Sequence, residues 1–500
     1  MRSPAAAAYE NVGGVQAPPR SLSRWAVAIA GLQMLALLAT STRYGYHRDE
    51  LYFIVAGRHP AFGYPDQPPL IPLLCAGLEA IRHSLFLLRL PSALAAGTTT
   101  VLSALIAREV GGGRRAQLIA AVCTAASAFT LAIGHFVSTT TPDVLSTTAL
   151  LWLVIRGLVR RSGPSFLLAG LVVGVGFEAK PQVGIVATVL TAVLLAIGPR
   201  WPFRSWWSLG GVAAALVLAA PYLVWQQLHG WPQHTVAANI GGSSEGGRIG
   251  FIPFQLVLVG PLLTPVWIAG LVAPYRLRSL QPIRFVTPTY VILGVAYIVG
   301  NGKAYYIASL YPALLALGGV LLAGWRIRTS AWVAAIGVTA AISAYVALPL
   351  LPARSLEGSA PLALNPDLGE QVGWPRFIAT IAHSWRSLPP AERAHTAIFT
   401  ANYGEAGAID VLGRTSGLPD AYSGHNGFSE WGPPPDRDDR ALVIGFDNGG
   451  ELAPQLTGCR QLARVDDGIG LDNDEQGLPI LVCRTAVPWS ASWRSLRHYN

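Results

Sequence analysis

The sequence is poor in charged residues. Only 13% of its 500 residues are charged and 52% are hydrophobic, whereas about a quarter of the residues in soluble proteins carry charge. The mean hydropathy is +0.41. A chain of this composition cannot cover most of its surface with water-solvated groups. The composition therefore excludes an ordinary soluble protein and predicts that lipid solvates much of the chain.

Cysteine is also scarce, and no metal-binding spacing is present. The chain has four cysteines, none of them in a CxxC pair, and no internal repeat is visible. Cys75 and Cys123 stand in apolar surroundings, which is typical of packing residues. The sequence thus implies no cofactor. A divalent metal ion held by acidic residues and a histidine stays open as an alternative.

The charge that is present is unevenly distributed. Residues 1–350 carry 24 Lys and Arg against 9 Asp and Glu, whereas residues 351–500 carry 12 against 18. The sequence pI of about 9.6 therefore reflects basic loops between membrane spans rather than a nucleic-acid-binding surface.

Apolar runs of about 20 residues, enough to cross a bilayer, recur through the first 350 residues. They predict an α-helical polytopic membrane protein with about eleven transmembrane helices. We place these near residues 22–41, 87–107, 116–136, 144–160, 164–179, 182–199, 208–228, 251–273, 285–300, 305–324 and 330–350. Every second loop is rich in arginine, and short cytoplasmic loops accumulate Lys and Arg. The pattern predicts a protein of the plasma (inner) membrane with its N-terminus in the cytoplasm.

Three regions follow from this topology: a cytoplasmic tail at 1–21, a membrane domain at 22–350 with a first outer loop at 43–86, and an extracytoplasmic domain at 351–500. Runs typical of strands at 396–400, 441–446 and 479–484, and a helical stretch near 405–412, predict a small α/β fold for the last region. Cys459 and Cys483 lie there, in an oxidising compartment, and we expect them to form a disulfide.

The first outer loop, YGYHRDELYFIVAGRHPAFGYPDQPP at 44–69, is too elaborate for a simple connection. Its adjacent carboxylates, Asp49 and Glu50, stand at a membrane boundary. They are interpreted either as an acidic cap on a helix or as catalytic groups. Asp143 opens the fourth span and has the same two interpretations, as a helix cap or as a site residue.

Lysine is almost absent, since only Lys180 and Lys303 occur among 36 basic residues. Both fall at the outer ends of predicted spans, against the usual charge bias. Long side chains reaching the headgroups would explain this placement. A phosphate site would explain it equally well, because an ammonium is a compact charge suited to a lipid phosphate.

Several motifs resemble bacterial members of glycosyltransferase family 39, which includes protein O-mannosyltransferases and lipid A aminoarabinose transferases and has the GT-C fold. They are the Asp-Glu pair with GYPDQPPL, TPD at 141–143, Lys-Pro at 180–181 and NGKAYYIASLYP at 301–312. NYGEAGAID at 402–410 and SGHNGF at 423–428 resemble the outer domain of many bacterial members. The loop departs from the aminoarabinose branch at Gln67, where that branch has lysine, so the same donor sugar is not implied.

The resemblance implies an inverting transferase that moves a sugar from a polyprenyl phosphate to an extracytoplasmic protein, glycan or lipid. Asp49 matches the catalytic acidic residue of the family's first outer loop and would act as the general base. Asp143 matches the family's second acidic position. Glu50 and Asp143 would hold the acceptor or the base. Lys303, Tyr305 and Tyr306 match the segment near the lipid phosphate. The remaining residues expected to bind the donor are Arg58, Tyr64, Gln67 and Lys180. Asp49, Asp143, the two lysines and the tyrosine pair are expected to converge on one outward-facing cavity.

Two other classes are weighed against this one. A secondary transporter would place its ionisable residues near the bilayer midplane, often in repeated halves, whereas here they cluster in outer loops. A noncatalytic membrane protein of envelope assembly would fit the topology but would leave the Asp-Glu loop unexplained.

Overall fold

The computed structural model of the chain describes residues 21–243, 247–325, 329–446, 454–471 and 473–499. They form two compact units. The helical unit comprises Met1–Thr40, Arg89–Trp225 and Ile240–Leu348, and the mixed unit comprises Ser41–Leu88, Gln226–Asn239 and Pro349–Asn500. Almost all of the predicted cytoplasmic tail lies outside the described residues, as do the loop residues Glu245, Arg326 and Arg328.

Helices dominate the chain up to residue 347. In chain order they are α1 (Arg24–Thr40), α2 (Arg48–Arg58), α3 (Leu70–Ile81), α4 (Leu85–Glu109), α5 (Arg114–Ala126), α6 (Ala128–His135), α7 (Thr140–Arg160), α8 (Gly163–Phe177), α9 (Gln182–Ile197), α10 (Trp206–Leu228), α11 (Pro232–Ser243), α12 (Gly247–Val259), α13 (Thr264–Arg276), α14 (Val286–Val299), α15 (Tyr311–Ala323) and α16 (Thr329–Ala347). Short 3-10 helices occur at Trp201–Arg204, Pro261–Leu263, Arg278–Ile283 and Ala304–Leu310.

Each of the eleven predicted spans coincides with a helix or a helix pair. Among the described residues, five helices are long and apolar enough to cross a membrane, or up to seven if each of two bent pairs is one span. The bent pairs are α5 with α6, at 56°, and α12 with α13, at 87°. The other four predicted spans are the shorter apolar helices α1, α8, α9 and α14, so the full count of eleven stays a prediction.

The burial of these helices differs sharply. The span at Ala304–Ala323 is 78% buried within the protein, whereas Trp206–Leu228 is 17% buried and Ser330–Ala347 is 22% buried. Apolar side chains on the last two, such as Leu216, Val217 and Ile342, are exposed. Because a helix that presents apolar side chains outward needs an apolar solvent, these helices face lipid. The chain is a multi-pass membrane protein, as its composition predicts.

The C-terminal domain, residues 351–500, has the small α/β fold that the sequence predicts. Its elements are α17 (Ala360–Leu364), α18 (Trp374–Ser387), α19 (Pro390–Arg393), β1 (Thr396–Thr400), α20 (Tyr403–Leu412), β2 (Ala421–Ser423), α21 (Asn426–Glu430), β3 (Arg440–Ile444), β4 (Leu456–Arg464), β5 (Pro479–Thr485) and α22 (Trp489–Leu496), with 3-10 helices at Ala353–Ser355, Pro366–Gln371 and Gly413–Ser416. The strands form one sheet in the order β2-β1-β3-β5-β4. Strand β1 runs parallel to β2 and β3, and β5 runs antiparallel to β3 and β4.

One hydrophobic cluster of this domain packs on one face of the sheet, and residues of the other face, such as Ile398 and Leu442, are also buried. Phe399 of β1 stacks on Phe446 with ring centroids 5.8 Å apart and also contacts Trp489. Cys459 of β4 and Cys483 of β5 form a disulfide, with their Cα atoms 4.1 Å apart, as the sequence predicts. The bond ties the mostly exposed edge strand β4 to the buried strand β5.

The first outer loop lies in the same compact unit as the C-terminal domain. From the sequence, residues 43–86 are predicted to belong to the membrane domain. In the structure, α2 of this loop packs against α20 of the C-terminal domain, and this packing builds one part of the candidate site.

Candidate functional site

Helix α2 begins with a capping box that separates the two adjacent acids. The His47 side chain accepts a hydrogen bond from the Asp49 backbone N–H, at 3.1 Å, and the Glu50 carboxylate accepts one from the His47 backbone N–H, at 2.8 Å. Such reciprocal bonds satisfy backbone donors that a helix start leaves open. The helix-cap interpretation is thus right for Glu50, which is fully buried.

Asp49 has different surroundings. Its Oδ1 accepts a hydrogen bond from the Tyr403 hydroxyl at 2.8 Å, and its Oδ2 lies 4.0 Å from His47 Nδ1. A third of the side chain, 33%, stays accessible. Asp49 is therefore a carboxylate that is anchored through one oxygen and can still meet a small polar group from solvent.

A second carboxylate of the loop, Asp66, has the same kind of anchor. The Tyr52 hydroxyl donates to Asp66 Oδ1 at 2.7 Å and accepts a hydrogen bond from the Gly427 N–H at 3.1 Å. Burial raises the pKa of Asp66 to about 7 against the effect of the Tyr52 bond, and the charge of Asp49 adds to the rise. Sequence reasoning missed both residues, although Asp66 lies in the GYPDQPPL motif and Tyr52 follows the Asp-Glu pair by two positions.

The other loop residues expected to bind the donor take part in packing within the mixed unit. Arg58 donates to the carbonyl of Asp410 at 3.2 Å. The Tyr64 hydroxyl donates to the carbonyls of Ala56 and His59 at the end of α2, at 2.8 and 3.0 Å. Gln67 is buried, and its backbone carbonyl accepts a hydrogen bond from the Tyr64 backbone N–H at 2.9 Å. Roles for Arg58, Tyr64 and Gln67 in donor binding stay predictions.

A second group of predicted site residues assembles in the helical unit, around Lys180. The Lys180 ammonium donates to Thr140 Oγ1 at 3.0 Å. It also lies 5.4 Å from the ring centroid of Tyr305 and 5.0 Å from that of Tyr306, distances at which a cation is attracted to an aromatic face. Asp143 attracts the Lys180 charge and Lys303 repels it.

Asp143 does not cap α7. The helix begins at Thr140, its N-cap residue Thr139 makes no side-chain capping bond, and Asp143 is buried one turn into the helix. Within the described residues, its Oδ1 has no hydrogen-bond partner. Since a buried carboxylate oxygen without a donor is costly, this geometry is more typical of a site residue than of a cap.

The tyrosine pair is held firmly in place. Tyr305 and Tyr306 meet edge to face at 5.1 Å and 87°, and Tyr297 contacts Tyr306 at 5.7 Å. The side-chain amide of Gln182 donates to the Tyr306 carbonyl. Lys303, just before this pair, is exposed. Sequence reasoning missed Tyr297 and Gln182, which lie in apolar helices and carry no motif of their own.

The predicted site residues thus form two groups in two units of the chain. Asp49 and its tyrosine belong to the mixed unit, whereas Asp143, Lys180, Lys303, Tyr305 and Tyr306 belong to the helical unit. The expectation that all of them line one cavity stays a prediction. In the described part of the chain, no three His, Cys, Asp or Glu residues are grouped so that they could hold a metal ion.

Comparisons with known proteins support the predicted resemblance. The family model described as dolichyl-phosphate-mannose-protein mannosyltransferase matches residues 66–225, about a third of the chain. No curated protein sequence matches the chain.

The fold is similar to that of ArnT from Cupriavidus metallidurans. The structure of ArnT bound to undecaprenyl phosphate aligns with a TM-score of 0.63 at 16% identity, over 93% of this chain and 99% of that one. The apo structure of ArnT aligns with a TM-score of 0.58 at 17% identity, over 95% and 99%. The arabinofuranosyltransferase AftD from Mycobacteria aligns with a TM-score of 0.53 at 14% identity, over 95% of this chain and 41% of that one. The chain therefore has the GT-C fold, as the sequence predicts.

Proposed function

We propose that this chain, a glycosyltransferase of the GT-C type by its fold and family match, moves a sugar from a polyprenyl-phosphate donor to an acceptor outside the cytoplasm. The donor class is supported by the family description and by the undecaprenyl phosphate bound to the similar ArnT. The observation that carries the proposal is the partly exposed Asp49 carboxylate, which is anchored through one oxygen on the outer loop.

Asp49 acts as the general base of the reaction. A glycosyl phosphate already contains a competent leaving group, so the enzyme, unlike a glycosidase, need not protonate the departing oxygen. Asp49 takes the proton of the acceptor hydroxyl while that oxygen attacks the anomeric carbon from the face opposite the phosphate. The C–O bond to the phosphate breaks, the configuration inverts, and polyprenyl phosphate leaves as an anion.

The cations of the helical unit stabilise the departing phosphate. Lys180 has Thr140 and two aromatic rings as its neighbours, so its ammonium is already positioned before charge develops on the leaving group. Lys303 adds a second positive charge from the exposed start of the tyrosine segment. The charge of Asp143 attracts the Lys180 ammonium.

The proposal requires the mixed unit to face away from the cytoplasm. In that compartment Cys459 and Cys483 are oxidised, whereas Cys75 and Cys123 are free. Protein from cells, denatured and treated with a polyethylene-glycol maleimide, should therefore add two labels without reductant and four with it. The double variant Cys459→Ser/Cys483→Ser should add two under both conditions. Four labels on the parent chain without reductant would contradict the topology.

The reaction itself is tested with the protein reconstituted in nanodiscs. Lipid extract from cells that lack the chain serves as the source of donor, and mass spectrometry follows its lipid-linked sugars. We expect wild-type protein to convert one of these lipid-linked sugars to free polyprenyl phosphate. The amount of polyprenyl phosphate released should equal the amount of sugar transferred to an envelope fraction. If every lipid-linked sugar stays intact, the chain is not such a transferase. If one of them also crosses the membrane of vesicles that hold the protein, a transporter is favoured.

A further inference from the structure

Helix α20 of the C-terminal domain packs unusually closely on α2, the helix that carries Asp49. A Cβ atom added at Gly404 would lie 3.0 Å from Arg48 Cβ, and one added at Gly407 would lie 3.0 Å from the carbonyl carbon of Leu51. Both distances are tight for a carbon contact. The two glycines of the NYGEAGAID motif therefore allow the two helices to meet almost backbone to backbone.

The start of α2 is held by further segments of the C-terminal domain. The Arg48 guanidinium pairs with Glu370 at 3.3 Å and with Asp474, and it lies 5.3 Å from the ring centroid of Tyr403. Bonds between an arginine and a carboxylate are charge-assisted and directional, and the Glu370 carboxylate is largely buried. Arg48 thus fixes the orientation of the first turn of α2.

Backbone hydrogen bonds fix the residues just before α2. The Gly45 N–H donates to the Gln371 carbonyl at 2.9 Å, and the Trp374 indole donates to the Tyr46 carbonyl at 3.0 Å. The loop therefore enters α2 along a path that the C-terminal domain determines.

The same domain supports two carboxylates of the loop, Asp49 directly and Asp66 through Tyr52. Tyr403, the first residue of α20, donates to Asp49 directly, and the Gly427 N–H donates to Tyr52, which donates to Asp66. A Cβ at Gly427 would lie 2.6 Å from the Tyr52 hydroxyl, so glycine is required there. The rings of Tyr403 and Tyr52 are 4.8 Å apart, which couples the two anchors.

We propose that the C-terminal domain positions the catalytic loop and that Tyr403 is the positioning residue for Asp49. This inference rests on the proposed role of Asp49 as the base. Tyr403 occupies Oδ1 and fixes the rotation of the carboxylate, so that the other oxygen points toward the acceptor. Burial and the charge of Asp49 raise the pKa of Tyr403 well above its usual value, so the hydroxyl remains a donor throughout the working pH range.

The test compares Tyr403→Phe with wild-type protein in the nanodisc assay, with the lipid extract as donor. A hydrogen bond to a charged group contributes roughly 1.5–3 kcal/mol, so we expect kcat to fall about 10- to 100-fold, at about tenfold per 1.4 kcal/mol. Binding of undecaprenyl phosphate, used alone as a probe, should not change. The rate per undecaprenyl-phosphate binding site corrects for any unfolded protein.

A pH profile separates positioning from general damage. Phenylalanine at position 403 cannot donate a hydrogen bond to the ionised Asp49 carboxylate. The acid limb of the kcat profile should therefore move to higher pH. Tyr422→Phe, a matched change at a partly buried tyrosine of β2, should leave both the rate and the profile unchanged. The double variant Tyr403→Phe/Asp49→Asn should be no slower than Asp49→Asn, because Tyr403 acts through Asp49.

The outcomes distinguish this inference from the proposed function. If Asp49→Asn is inactive while Tyr403→Phe keeps the wild-type rate and profile, Tyr403 does not position the base. A double variant in which the two losses multiply would also overturn the inference, since Tyr403 would then act independently. If Asp49→Asn itself retains the wild-type rate, the proposed role of Asp49 is wrong.

Discussion

Replacing Asp49 with asparagine should lower the rate of sugar transfer by about 10²- to 10⁴-fold, the usual contribution of a positioned general base. Asparagine keeps the size of the side chain and an oxygen that can accept the Tyr403 hydrogen bond, so the loop should fold normally. Binding of undecaprenyl phosphate should stay close to the wild-type value. Rates in the nanodisc assay and binding of that lipid measure the two effects separately.

The matched control for this variant is Asp420→Asn. Asp420 lies in the same unit, pairs with Arg414 and is 65% exposed, so its amide variant should retain the wild-type rate. A folded Asp49→Asn protein that transfers sugar at the wild-type rate would show that Asp49 is not the base, and Glu50 and Asp143 would then be tested in its place.

The second large effect is expected at Lys180. Lys180→Gln removes the positive charge that lies beside Thr140, Tyr305 and Tyr306 but keeps a polar side chain. Removing one preorganised donor from a developing negative charge costs about 10²- to 10³-fold in rate. Unlike the change at Asp49, this one should also weaken binding of undecaprenyl phosphate, because the ground-state lipid phosphate is already charged.

Arg200→Gln is the control for charge alone. Arg200 is an exposed arginine of the helical unit, and it lies on a predicted cytoplasmic loop. Loss of the Arg200 charge should change neither the affinity for undecaprenyl phosphate nor the rate of sugar transfer. If Lys180→Gln also binds and reacts as the wild type does, Lys180 is not part of the phosphate site, and its contact with the tyrosines is only packing.

The helices and the main strands could be predicted because both depend on local patterns. Each apolar run that the sequence marks as a span is a helix or a bent helix pair in the structure, and β1, β3 and β5 are compact apolar runs. Strand β2 has three residues, and β4 is an edge strand that is mostly exposed, so neither has an apolar run that a sequence pattern reveals. The bends between α5 and α6 and between α12 and α13 depend on packing at a short break, which hydropathy does not show.

The candidate site could be predicted only where the chemistry is visible in the residue types. Two lysines in a chain of arginines, and an Asp-Glu pair in an outer loop, are unusual enough to be noticed. Asp49 and Glu50 differ in role because the Glu50 side chain closes the capping box, whereas Asp49 bonds to Tyr403. The sequence alone does not show which of the two neighbours does so. Tyr403 is separated from Asp49 by 354 positions, and only the folded chain brings the two together.

In the proposed reaction, the chain consumes a lipid-linked sugar through Asp49. This reaction is tested most directly by mass spectrometry of polyprenyl-phosphate sugars in cells that lack the gene and carry either the wild-type chain or Asp49→Asn. We predict that one lipid-linked sugar accumulates without the chain, falls to its normal level with the wild type, and stays high with Asp49→Asn although the variant is present in the membrane at the same amount. Equal levels of every such lipid in the three strains would contradict the account.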